Sequence, residues 1–249
     1  SARALRLARV VHTVHDAAAS AAFYTTALGL APDASGALAS PSVGSNALAL
    51  ELVEGSGAVY DPTGGYRGLM ARVPALTPAV DAATQAGGSI LVEPCTVEHP
   101  AALIPDEEDE TSTPVRQAVV ADPCGFPVLI YEDEGSSEPA LSGVRLCVHT
   151  WKFAQEYYEA ACRWATLRWQ ANLPRDASID VTLGDAAHAG SVGPCGPTGA
   201  SASAEAVLQL HYAYDCDKPT HPGGLAALTF AGLSATGDAD PDGYPLRFE

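Results

Sequence analysis

The stretch ARVVHTVHDAAASAAFYTTALGL, residues 8–30, reads as a β-strand running into an Ala-rich helix. Residues 5–15 alternate as a strand does, and from Asp16 the spacing changes to a helical one that places Ala18, Ala22 and Phe23 toward a sheet. Asp16 suits the position that caps such a helix, and Gly29 the position that ends it. His12 and His15 both fall on the strand, which raises the question of a metal site.

Working outward, NALALELVE (46–54) and GGYRGLMARV (64–73) read as strands, and LTPAVDAATQAGG as a helix with Pro in its first turn and Gly-Gly at its end. VRQAVVADPCGFPVLIYE (115–132) is two strands around a D-P-x-G turn. Strand, helix, strands therefore occurs twice by residue 133. After the polar stretch DEGSSEPA the pattern restarts: LSGVRLCVHTWKFAQEYYEAACRW (141–164) copies the opening, with Tyr157-Tyr158 where the first copy has Phe23-Tyr24. DPDGYPLRFE (240–249) copies DPCGFPVLIYE (122–132). The expected division is a first domain over 1–133, with modules 1–62 and 63–133, a linker at 134–140, and a second domain over 141–249 whose last module is short.

Thirteen Lys and Arg against thirty Asp and Glu give a net charge of −17, which repels nucleic acid and anionic membrane surfaces alike. A hydrophobic share of 47% over 249 residues is enough for a real core. No apolar run is long enough to span a bilayer. The six cysteines form no C-x-x-C pair and read as buried free thiols of a reducing compartment. The acids of PDEEDE (105–110) are consecutive rather than spaced for calcium and read as a solvated loop tip. DAAHAGSVGPCGPTGASASAEA (185–206) reads as a flexible loop. No G-x-G-x-x-G or P-loop motif is present, AGSVG (189–193) has Ala189 where a nucleophile elbow needs Gly, and DPDG (240–243) is a turn rather than an EF-hand fragment.

VHTVHDAAASAAFYTTALGL, LALELVEG, GGYRGLMARV…AGGSILVEP and DPCGFPVLIYE, in that order, resemble the vicinal oxygen chelate superfamily, and within it the tandem, plant-type lactoylglutathione lyases, glyoxalase I. The resemblance implies an α+β fold of tandem βαβββ modules paired into two half-open eight-stranded barrels, the second incomplete if its short last module is a true truncation. It implies a metal held by a His or Gln on the first strand and a Glu on the last strand of each module. A ligand Glu then moves a proton in the hemithioacetal of methylglyoxal and glutathione.

Carried onto this chain, the four ligand positions of the first barrel hold Arg9, Glu51, Gly68 and Leu129. In the second they include Gly143, Gln209 and Arg247, and GGLAALTFAG offers no ligand at all. A guanidinium cannot ligate a cation, and one carboxylate is too little for a catalytic ion. The positions implied for gripping glutathione hold Thr13 and Gly55, then Cys147 and Ala213. His12 faces away from Arg9, Val11 and Thr13 and reads as a core or strand-edge imidazole. His15 lies at the pocket rim, His149 repeats its position, and His211 reads as a poor ligand by the same parity.

Arg9 and Glu51 are therefore expected to form a buried ion pair, whose loss through Arg9 alone costs about 3 to 5 kcal/mol. The leading expectation is a non-catalytic structural or interaction subunit of a larger assembly, without metal or cofactor. A second is a small-molecule binder with an uncharged cavity walled by Val11, Leu129 and Gly68 beside Arg9. A third is an active lyase using Zn or Ni. The plastid-type likeness suggests an organelle such as the chloroplast, with the cytoplasm otherwise; a removed leader, a transit peptide or a partial chain would each explain the start at Ser1.

Overall fold

The computed structural model describes residues 4–41, 47–56, 60–100, 112–172, 177–198, 206–214, 223–232 and 239–248. The first module comprises β1 (Arg6–Val14), α1 (Ala17–Leu28), β2 (Ala31–Pro32), β3 (Leu38–Ala39) and β4 (Ala49–Glu54). The second comprises β5 (Tyr66–Val73), α2 (Leu76–Gln85), β6 (Ser89–Pro100), β7 (Ser112–Ala121) and β8 (Pro127–Glu132). The third has β9 (Ala140–Cys147), α3 (Trp151–Cys162), β10 (Ala165–Ala171), β11 (Ser178–Gly184), a 3-10 helix (Ala186–Ser191), β12 (Val192–Gly193), β13 (Gly196–Pro197) and β14 (Val207–Ala213). Of the fourth, the described residues contain β15 (Leu225–Ala231) and β16 (Leu246–Phe248).

Local chemistry explains the helices. Asp16 accepts the Ala19 N–H at 2.8 Å, and Gly29, at φ 63°, closes α1 by bonding back to Thr25. The buried face of α1 is Ser20, Phe23, Tyr24, Ala27 and Leu28. Ala18 and Ala22 are exposed, contrary to the sequence expectation, because a 3.6-residue period puts them opposite that face. The start of α2 has no capping side chain of its own; Glu132, from the end of β8, accepts the Leu76 N–H at 2.7 Å instead.

The sheets pair the modules across the chain. One is β16-β15-β1-β4-β3-β2 and joins the first module to the fourth; the other is β10-β11-β14-β9-β5-β8-β7-β6 and joins the second to the third. This corrects the expected pairing of 1–62 with 63–133: β1 runs antiparallel to β15, and β5 to β9. Among the described residues, the sheet that contains β1 has six strands and the other has eight.

Sequence neighbours are held together by their turns rather than their sheets. Asp122 accepts the Cys124 and Phe126 N–H groups and, through Oδ2, the Ser20 hydroxyl of α1 at 2.9 Å. Asp240 repeats this, taking the Asp242 and Tyr244 N–H groups and the Tyr158 hydroxyl of α3 at 2.8 Å. The glycines of the two D-P-x-G turns, Gly125 and Gly243, have φ near 90° as such turns require. A single apolar cluster runs through both sheets and the helices, including Leu7, Val10, Leu69, Val144 and Phe230. No helix among the described residues is long and apolar enough to cross a membrane.

Candidate functional site

Each sheet has an inner face carrying the positions singled out by sequence. On the six-stranded sheet, Arg9 lies in register with Thr229, and Thr229 with Arg247, so one rung carries two guanidinium residues. Arg9 Nη1 donates to Glu51 Oε2 at 2.9 Å, and Nη2 to the Ser35 hydroxyl at 3.2 Å. The side chains of Arg9 and Glu51 are 27% and 34% exposed, so this is a rim pair and not the buried one expected. A cavity of about 420 Å³ opens beside them between β2 and β3, lined by Pro32, Leu38 and Leu50 and by Ala17 and Ala21 of α1. Gly68 and Leu129 belong to the other sheet and take no part in it, which corrects the expected cavity walls. Of the positions implied for glutathione, Thr13 and Gly55 serve backbone bonding, to Gly224 and Val14.

On the eight-stranded sheet, Gly68, Leu129, Gly143 and Gln209 converge on adjoining rungs: Gly68 pairs with Arg145, Arg145 with Gln209, and Met70 with both Leu129 and Gly143. The sheet curls until its edges meet, where Gln170 of β10 donates to His99 of β6 at 3.0 Å. Inside the curl sits the buried stretch 194–197, part of the segment that the composition marked as a loop, while the 3-10 helix before it has no buried residue. Pro194 accepts the Gln209 amide at 3.2 Å, the Cys195 thiol donates to Gln117 at 3.1 Å, and Pro197 accepts the Tyr131 hydroxyl at 2.9 Å. Those three anchors come from β14, β7 and β8, so the segment spans the barrel interior like a plug.

A polar chain continues from the plug. His99 and Gln170 lead to Asn172 at 2.7 Å, Asn172 to Asp180 at 3.0 Å, and Asp180 to Arg145 at 2.9 Å and His211 at 2.8 Å. Burial works against the Asp180 charge, yet Arg145 and His211 outweigh it and hold this carboxyl well below the usual carboxylate range. His211 is two residues from Gln209 and shares its face, so the parity argument against it fails; Asp180 and Arg145 are what engage it.

A point mutant of glyoxalase I from Zea mays matches over 98% of this chain and 92% of its own, with a TM-score of 0.71 and 18% identity. The chain has the glyoxalase I fold. Another crystal structure of maize glyoxalase I covers 92% of this chain and 75% of its own at TM-score 0.67 and 20% identity. A putative dioxygenase from Bacillus subtilis covers 97% and 73% at TM-score 0.54 and 12% identity. No protein-family model matches the sequence, and no curated protein matches it significantly.

The positions that the glyoxalase resemblance assigns to metal do not fit one here. A Cβ placed on Gly68 would collide with the Pro127 carbonyl, and one on Gly143 with the Val207 carbonyl, so neither position admits a ligand side chain. The third and fourth, Leu129 and Gln209, add one neutral amide already bonded to Pro194. On the six-stranded sheet, Glu51 is already paired with Arg9, and Arg247 on the same rung adds a second positive charge, which opposes a dication. Among the described residues no group of three or more His, Cys, Asp or Glu is arranged to hold an ion.

His12 is fully buried, stacked on Phe126 at 4.2 Å with Nε2 2.8 Å from the Tyr66 hydroxyl, and burial lowers its pKa to about 3. His15 and His149 are exposed. Cys147 is buried and Ala213 half-buried. Cys95 is exposed, against the expectation of buried thiols, whereas Cys124, Cys147, Cys162 and Cys195 are buried. PDEEDE (105–110) and Cys216 lie outside the described residues. Sequence reading missed Asp180, Arg145, His99 and Gln117; the alternation that puts Arg145 and His211 beside Gly143 and Gln209 was the available signal.

Proposed function

We propose that this chain is a glyoxalase-fold protein that carries out no lyase chemistry and serves as a structural or interaction subunit of a larger assembly, without metal or cofactor. The observation that carries this reading is the bond from Gln209 to Pro194: a residue implied for metal binding instead holds a segment of the same chain inside the barrel. The rim pair of Arg9 and Glu51 supports it from the other barrel. A chloroplast or other organellar setting belongs to the same proposal.

The test is metal analysis of the purified protein together with an assay on methylglyoxal plus glutathione. The reading holds if the protein carries no stoichiometric Zn or Ni and turnover stays at the spontaneous rate. Metal-dependent conversion overturns it in favour of an active lactoylglutathione lyase.

A second reading rests on the cavity beside Arg9, whose volume of about 420 Å³ suits a small molecule. Its apolar walls and charge-balanced polar side favour a neutral, amphipathic ligand. Thermal shift against a fragment set, repeated on Ala21→Trp, a half-buried lining position, to fill the space, tests it: hits insensitive to that substitution discard the cavity as their site.

A further inference from the structure

The two halves follow one plan, and their comparison exposes a gap. In the first half α1 packs against α2. Phe23 of α1 is fully buried, and a side chain on Gly88, just past α2, would strike its ring. In the second half α3 places Tyr157-Tyr158 where α1 has Phe23-Tyr24. Tyr158 is fully buried like Tyr24. Tyr157, the counterpart of Phe23, is only half-buried, and Phe153, one turn earlier on the same face, is 66% exposed.

The cause lies in chain length. Between β5 and Asp122 the first half runs through residues 74–121, which contain α2, β6 and β7. Between β15 and Asp240 the second half has residues 232–239, fewer than the ten of α2 alone. The turn that locks onto the helix is retained, through Asp240 and Tyr158, while the interval before it is too short to hold a helix of the length of α2 together with two strands.

We propose that the Phe153–Tyr157 face of α3 docks an amphipathic, basic helix of another protein, seated where α2 sits against α1. The helical form follows from the pseudo-symmetric position. The basic character follows from the acids that border the face. Glu156 is exposed on α3 between Phe153 and Tyr157 in sequence, one turn from Phe153. Tyr157 donates its hydroxyl to Ala239 at 3.4 Å, which brings the face up against the turn that carries the half-buried Asp242. The net charge of −17 adds a long-range attraction of the same sign for a cationic partner. On α3 itself the basic residues are Lys152 in its first turn and Arg163 at its end, and Arg67 of β5 acts on Tyr244 of the neighbouring turn. A second copy of this chain would bring the same Glu156 and the same net charge to the contact, which opposes self-pairing.

This deepens the reading as an interaction subunit by naming the surface. The probe is an Ala-rich helical peptide of about 15 residues with Leu at i, i+4, i+7 and i+11 and Lys on its flanks. Its binding to the full chain is followed by fluorescence anisotropy. Phe153→Glu should weaken binding on the order of tenfold or more, and Glu156→Lys should weaken it and flatten its salt dependence. Leu91→Glu, at an exposed apolar site on β6, should leave it unchanged. Absence of binding, or binding indifferent to Phe153→Glu, overturns the proposal. So does a chain that sediments as a dimer and is split by Phe153→Glu, since a second copy then covers the face. Lyase activity would refute the non-catalytic reading and leave this measurement untouched.

Discussion

Gln209 donates its side-chain amide to the carbonyl of Pro194 at 3.2 Å, which ties the barrel wall to the segment inside it. Gln209 is buried, so replacing it by Leu leaves a buried carbonyl without its donor, at about 1 to 3 kcal/mol. Gln209→Leu should therefore raise hydrogen exchange and protease cleavage within the buried residues 194–197 while the apolar cluster stays protected. Unchanged protection there would mean that Cys195 and Pro197 hold the segment alone.

Restoring ligands should fail for steric reasons. Gly68→His and Gly143→Gln each drive a Cβ into a neighbouring strand's carbonyl, and Gly68 also has φ 109°. Each substitution should cost more than about 3 kcal/mol, read from urea unfolding, with no gain of metal affinity. A stable Gly68→His protein that binds Zn would show that the strands can part.

The Arg9–Glu51 pair should contribute little, given its exposure. Arg9→Ala is predicted to lower stability by no more than about 1 kcal/mol, with the difference shrinking in high salt. A loss several times larger, measured by denaturant midpoint, would mean that the pair is desolvated.

Two buried groups titrate in opposite senses. Burial pushes Asp240 up to about 6 from 3.8, so its stabilising contribution is full below about 3.8 and disappears as pH rises through 6. Burial lowers His12 to about 3 from 6.5, so its contribution is full above 6.5 and is lost as pH falls toward 3. Between pH 4 and 6 the two slopes, each up to about 1.4 kcal/mol per unit, oppose each other. His12→Phe should give a protein that gains stability on mild acidification, and Asp240→Asn one that loses it. Urea midpoints measured against pH decide the matter; identical profiles for the two variants would refute both assignments.

Sequence carried the modules and their punctuation, because Asp16, Gly29 and the D-P-x-G turns act on neighbours only a few residues away. It placed Arg9 within reach of Glu51, since two adjacent parallel strands fix that geometry once the module is known. It did not carry the choice of partner. The apolar runs of β1, β5, β9 and β15 would satisfy the core against any of one another, so alternation cannot tell β15 from β5 as the neighbour of β1. The plug was hidden for a similar reason. Gly, Ala and Ser suggest a loose segment, and what fixes Pro194, Cys195 and Pro197 are side chains on three distant strands. The depth of the Arg9 site was misjudged because β2 and β3 proved to be two residues each and leave that rim open.

The pairing of Val10 with Leu228 sets the order of events during synthesis. As the chain leaves the ribosome, β1 emerges more than 200 residues before the strand it pairs with, whereas β5 and β9 find each other sooner. The eight-stranded half is thus free to form first, and the apolar edge of β1 stays exposed to chaperones and to aggregation until β15 arrives.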